Sequence, residues 1–191
     1  MDRDQAFKIL TKYVKNQNLI KHCYATEAVM KALYKKFYTG PNYTPEGEAE
    51  WGITGLLHDA DYELCKGRPE IHGTLLIDKE GDKIPQEIAY AIKAHNYERT
   101  LVLPKTLLDW SIAICDQLTG IIVACALIHP DKKLAPLTTD FIMKKFNSNS
   151  FAKGADRRMI EKCEEKLKIP LKEFIEINLK AMQGISGDLG L

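Results

Sequence analysis

The stretch from Ser111 to Ile128 is apolar almost throughout, yet Asp116 and Gln117 interrupt it near its middle. A helix that is apolar on all sides has to be covered on all sides, by protein or by lipid. A carboxylate inside hydrocarbon is costly, so the stretch reads as a buried helix of a globular protein and not as a membrane span. Pro104 precedes this helix, which is expected from about Lys105 to Ile128, and His129-Pro130-Asp131 stops it. Along its face Ile112, Asp116, Gly120, Val123, Leu127 the one polar side chain is Asp116. A buried carboxylate without a partner is strongly disfavoured. Asp116 therefore needs an Arg, a Lys, a helix N-terminus or a metal ion beside it.

The rest of the chain supplies the cover. Most segments repeat apolar residues with the helical period, and no convincing strand alternation is found, so the expected class is all-α with about nine helices. The 191 residues are expected to form a single domain over 1–191, with a core at about 19–128 and a C-terminal helical extension at about 129–183. A first helix is expected at roughly 2–16, through Phe7, Leu10 and Val14. A second, capped by Asn18 and running over roughly 19–38, puts Leu19, Thr26, Val29, Met30, Leu33 and Phe37 on its apolar stripe. Lys21, Glu27, Lys31 and Lys35 fall on the other side. Thr44 caps a third, with Pro45 at its first position. Further helices are read at Pro69–Lys79, from Pro85 to His95, and at Thr138–Phe146, Ala155–Leu167 and Pro170–Gln183, with a frayed tail from Gly184. The net charge of +1 gives no reason to expect nucleic acid as a partner. Met1-Asp2-Arg3-Asp4 does not resemble a secretory leader, and five scattered cysteines without a CxxC pair read as reduced thiols, so a cytoplasmic location is expected. Nothing in the sequence sets an oligomeric state.

The third helix delivers Leu56-Leu57-His58-Asp59 near its end. His22 lies inside the apolar stripe of the second helix, while His72 and His95 stand at helix ends. Each histidine alone has an ordinary use as a satisfied core or capping residue. The recurrence of such groups at His22, His72, His95 and Asp116 around an adjacent His-Asp pair weighs against that reading. Imidazole and carboxylate together suit iron, manganese, zinc, cobalt or nickel. A metal with an open position lowers the pKa of bound water towards neutrality.

From Leu19 to Leu127 these residues resemble the HD-domain superfamily of metal-dependent phosphohydrolases, whose pattern is a His, a His-Asp pair and a distant Asp on a long helix. The resemblance implies a helical bundle in which His22, His58, Asp59 and Asp116 hold a first metal. His72, in His72-Gly73, and His95 match the extra histidines of two-metal members. With Asp59 as a bridge they would hold a second metal. Asn96 stands where members often carry a further His. The implied activity is hydrolysis of a small phosphate ester, such as a nucleotide, by metal-activated water. The same scaffold also serves di-iron oxygenases, and a third reading is a metal-stabilised binding or signalling module without turnover.

Asp59 and Asp61 are the candidate catalytic carboxylates. Asp61 would orient a water or an imidazole, against the alternative of a solvated loop residue. For substrate, Lys93, Lys153 and Arg157 are the candidate phosphate contacts, the last two within a cluster that also holds Lys144, Lys145 and Arg158. A solvated basic face is the competing account of that cluster. Lys66 and Arg68 follow the His-Asp pair and are placed to reach the mouth of the site. Cys115 and Cys125 read as core, His129 as a cap or surface residue, and Gly120 as a point where a neighbouring helix or a ligand approaches closely.

Overall fold

The computed structural model describes residues 1–148 and 150–191, and among them it is all-helical. Nine helices have six residues or more: α1 (Arg3–Tyr13), α2 (Gln17–Phe37), α3 (Pro45–Leu57), α5 (Leu75–Glu80), α6 (Gln86–His95), α8 (Leu107–Ile128), α9 (Thr139–Phe146), α10 (Arg157–Lys162) and α11 (Leu171–Gln183). Single turns α4 (Tyr62–Cys65), α7 (Tyr97–Thr100) and α12 (Ser186–Leu189) complete the set.

The starts follow local capping chemistry. Thr106 and Asp109 form a reciprocal capping box, so α8 begins at Leu107. Asn16, not Asn18, accepts from the first amides of α2. Thr44 accepts from Gly47 and Pro45 opens α3 as read from the sequence. Asp156 caps α10, which therefore begins two residues later than its apolar pattern and widens into a π turn over Cys163–Leu167.

Helix α8 is long and apolar enough to cross a membrane, and most of it is buried among other helices. Helix α2 packs along α3 and against α8, and α6 packs on both α3 and α8. One apolar cluster joins α2 and α8 to the C-terminal helices through Met30, Leu33, Ile114, Leu118, Ile160 and Phe174. A second joins α1, α3, α5 and α6 to the first half of α2 through Leu10, Ile20, Leu56, Leu76 and Ile88.

Three expectations are corrected. The tail beyond Gly184 is docked, because Leu189 is buried in the first cluster and α12 lies on α2. Glu27 is buried and not on a solvated face, where Arg3 holds both its oxygens at 2.7 and 2.9 Å and Lys31 reaches it at 2.6 Å. His72 does not open a helix: a short 3₁₀ turn covers Pro69–Ile71, and α5 begins only at Leu75. Between them Gly73 takes φ +88°, a left-handed conformation that its missing Cβ permits.

Candidate metal centre

Close helix packing brings His22 and His58 together. A Cβ on Gly55 would lie 2.7 Å from the Thr26 carbonyl oxygen, so α3 meets α2 backbone to backbone at that point. One turn later α3 ends at His58, one turn earlier α2 carries His22, and their Nε2 atoms are 3.2 Å apart. From α8, Asp116 brings Oδ1 to 2.9 Å from His22 Nε2 and 3.3 Å from His58 Nε2. Asp59 adds Oδ2 at 3.4 Å from His22 Nε2 and Oδ1 at 3.6 Å from His58 Nε2. Ligands on a common ion at ~2.1 Å stand about 3.0 Å apart in an octahedron and about 3.4 Å apart in a tetrahedron. The observed separations are of that size, so these four residues could hold one metal ion.

A second group shares Asp59. Its Oδ1 is 3.0 Å from His72 Nε2 and 3.9 Å from His95 Nε2, and the two imidazole Nε2 atoms are 3.1 Å apart. Asp59 thus turns one oxygen to His22 and the other to His72, as a bridging ligand would. The His72 segment is fixed by Asp61, which is fully buried. Asp61 accepts from the amides of Gly73 and Leu76 and meets His72 Nδ1 at 2.7 Å. Gly73 also allows the segment to pass α6, because a Cβ there would lie 2.8 Å from the Ile92 carbonyl oxygen. Asn96 donates from its amide nitrogen to the carbonyls of Pro69 and His72 and so pins the same segment.

The histidine tautomers follow from their outer partners. His58 Nδ1 donates to the Gly55 carbonyl at 2.7 Å, and His95 Nδ1 meets the Ile92 carbonyl. His72 Nδ1 donates to the Asp61 carboxylate. Thr119 gives its hydroxyl proton to the Asp116 carbonyl, which leaves its oxygen to accept from His22 Nδ1 at 3.3 Å. All four rings therefore carry the Nδ1 proton and turn Nε2 lone pairs inward, in two pairs at 3.1 and 3.2 Å. Two lone pairs cannot bond each other, so each pair needs either a proton on one Nε2 or a metal ion between its members. Such outer hydrogen bonds are a regular accompaniment of metal-ligating histidine.

The electrostatics agree. Burial opposes ionisation of Asp59 and Asp116, but the surrounding imidazoles hold both carboxyls well below the usual carboxylate range. Burial likewise lowers His58 and His72, yet the charge and contacts of the carboxylates push His58 up to about 9 and His72 to about 10. His95 goes the other way, to about 4, through burial and the charge of His72 and His58. The pocket favours positive charge among its carboxylates, whether proton or metal. It opens on one side, where His22 and Asp116 keep 23% and 17% of their side-chain surface, against none for His58.

The six sequence-predicted ligands are thus brought together, and Asp61, the candidate to orient a water or an imidazole against the alternative of a solvated loop residue, is buried and contacts His72 Nδ1. The phosphate contacts fare differently. Arg157 is not free to grip substrate: its five N–H groups point at the carbonyls of Phe146, Ser148, Phe151, Ala152 and Ala155. Lys93 lies roughly 200° around α6 from His95, on the opposite side of the helix. Lys153 is exposed. Gly120 admits no neighbouring helix, since nothing lies within 4 Å of where its Cβ would be. His129 ends α8, and Cys115 and Cys125 are core as expected. Missed from the sequence were Gly55, Thr119 and Gln117, the last donating to Asp116 Oδ2 at 2.8 Å. Compared with protein families, curated proteins and solved structures, the chain finds no match in any of the three.

Proposed function

We propose that the chain is a metal-dependent phosphohydrolase of the HD type, acting on a nucleotide or another small phosphate ester in the cytoplasm. The observation that carries this reading is the inward convergence of four imidazole lone pairs on two carboxylates, with Asp59 facing both groups. His22, His58, Asp59 and Asp116 would hold one divalent transition metal, and Asp59, His72 and His95 a second. Iron, manganese, nickel, cobalt and zinc all suit these donors. When bound, such ions supply Lewis acidity and water that ionises near neutral pH.

The chain's own residues account for access and orientation. Two clefts meet at His22, one lined by Asn16, Leu19, Tyr62 and Lys66, the other by Lys21, Gly120, Val123 and Leu127. Lys66 and Lys21 are the cations lining these clefts, and they replace Arg157 as the candidates to receive phosphate oxygens. Buried His58 and His95 close the opposite side, so substrate approaches past His22 and Asp116. Asp61 keeps the His72 proton on Nδ1 and leaves Nε2 free to ligate. All five thiols are free and buried, which accords with a reducing compartment.

The test is anaerobic metal loading followed by elemental analysis, a screen of phosphate monoesters and diesters, and an oxygen electrode. Phosphate release with manganese or nickel, without oxygen uptake, supports the reading. Oxygen consumption that requires ferrous iron replaces it with a di-iron oxygenase. Bound metal with neither activity leaves a binding or signalling module.

A further inference from the structure

We propose that Gln117 is a positioning residue that holds Asp116 as a one-oxygen ligand and ties it to the segment 150–156; this rests on the metal-centre reading above. Asp116 turns Oδ1 inward to His22 and His58, at 2.9 and 3.3 Å. Its Oδ2 is already engaged, accepting from Gln117 Nε2 at 2.8 Å. The other end of the same amide, Oε1, accepts from the Asp156 amide at 3.1 Å. The orientation of the amide is chemically forced, because a carboxylate at this site only accepts and a backbone N–H only donates.

Two consequences follow. A carboxylate with both oxygens free can rotate or chelate through both, whereas Asp116 held by Gln117 presents Oδ1 alone. At its other end Gln117 adds a tie to a segment that has others: Arg157 draws in the carbonyls of Phe151, Ala152 and Ala155, and Asp156 caps α10 through the amides of Arg158 and Met159. Exposed Lys153 rides on that segment. A metal that fixes Asp116 therefore also fixes Gln117, and with it the anchor of the segment. By reciprocity, loosening the segment loosens the ligand.

The experiment uses the full chain and two variants, Gln117→Met and Gln117→Leu, which remove donor and acceptor and keep much of the volume. Manganese(II) binding is followed anaerobically by equilibrium dialysis and elemental analysis. The tighter of the two manganese ions is expected to lose about tenfold to a hundredfold in affinity, as outer hydrogen-bond partners of ligands generally cost, while the weaker ion on His72 and His95 is unchanged. That selectivity distinguishes positioning from a general loss of structure. A second readout is trypsin cleavage after Lys153, which manganese slows in the wild-type chain and no longer slows in the variants. If one variant fails to fold, the other decides. Unchanged manganese affinity with protection retained overturns the proposal alone. A wild-type chain that binds no manganese overturns the metal-centre reading and this proposal with it.

Discussion

Asp61→Asn tests whether the second metal group is built from the outside inward. The side chain is fully buried and works entirely as an acceptor: Oδ1 from His72 Nδ1 at 2.7 Å, Oδ2 from Leu76 N at 2.9 Å, and both oxygens near Gly73 N at 3.2 and 3.0 Å. Asparagine has the same shape but keeps one acceptor and adds a donor. With its oxygen towards His72, the new NH2 faces the Leu76 amide, and a buried N–H is left unsatisfied at a cost of about 1–3 kcal/mol. In a chain of this length each kcal/mol lowers Tm by roughly 2–4 °C, so the metal-free variant should melt about 2–12 °C below wild type. With its oxygen towards Leu76, the NH2 faces His72 Nδ1, which then has to accept; the proton moves to Nε2 and the ligand is lost. Either arrangement weakens the second metal, by about tenfold to a hundredfold, and leaves the first in place. Calorimetry of the metal-free protein and elemental analysis after dialysis read the two effects. An Asp61→Asn chain with wild-type Tm and two tightly held metals would refute the reasoning.

Four further perturbations each isolate one element. Gly55→Ala puts a methyl 2.7 Å from the Thr26 carbonyl and forces α2 from α3; a loss of about 1–3 kcal/mol is expected on denaturant unfolding, with weaker first-site binding. His95→Ala should reduce the metal content by one per chain while His22, His58, Asp59 and Asp116 retain theirs, as elemental analysis would show. Arg157→Ala strips five carbonyls of their donor and should destabilise by on the order of 1.5–3 kcal/mol in the same unfolding assay, with KM for any substrate unchanged. Glu80 is held down to about 2 by contacts with Lys12, Lys83 and Tyr13. Because its folded pKa lies below the unfolded value, its stabilisation is present above about pH 4.5 and lost as the pH falls towards 2. Melting curves of Glu80→Gln and wild type should therefore differ at pH 7 and converge near pH 2.

What could be read from the sequence was set by local patterns. The helical period, the Thr44 cap and Pro104 ahead of the long helix act within a few positions, so the sequence places α3 and α8 to within about two residues. The ligand types could be read because imidazole and carboxylate on apolar faces are conspicuous. What the chain folds next to those faces could not. Asp61 looks like any acidic loop residue until Gly73 and Leu76, twelve and fifteen positions on, bring their amides to it. Arg157 looks like a phosphate ligand because its charge is visible in the sequence, while the five carbonyls that consume it are not. The phase of Glu27 on the helical wheel points to the solvated side, but Arg3 of α1 reaches across and covers it. Asp61 and Glu27 meet partners twelve or more positions away, whereas the carbonyls around Arg157 lie only two to eleven positions back and are hidden because residue types do not show which way a loop turns its carbonyls.

The same distinction explains why the two metal groups should not be equal. The first draws on α2, the end of α3 and α8, three elements packed on one another, and it has four donors of its own. The second has His72, His95 and a share of Asp59, and His72 stands outside regular helix. Its position depends on Asp61, on Asn96 and on a left-handed glycine, each of which is a side-chain or backbone device and not a helix contact. If two ions bind, Asp59 would divide its charge between them and the second ion would add its repulsion to the first. The first group should then fill first, and the second would be the group whose occupancy responds to metal supply. Asp59 is the one residue on which both depend, so its replacement by Ala differs in kind from loss of His72 or His95: it removes a ligand from both groups at once.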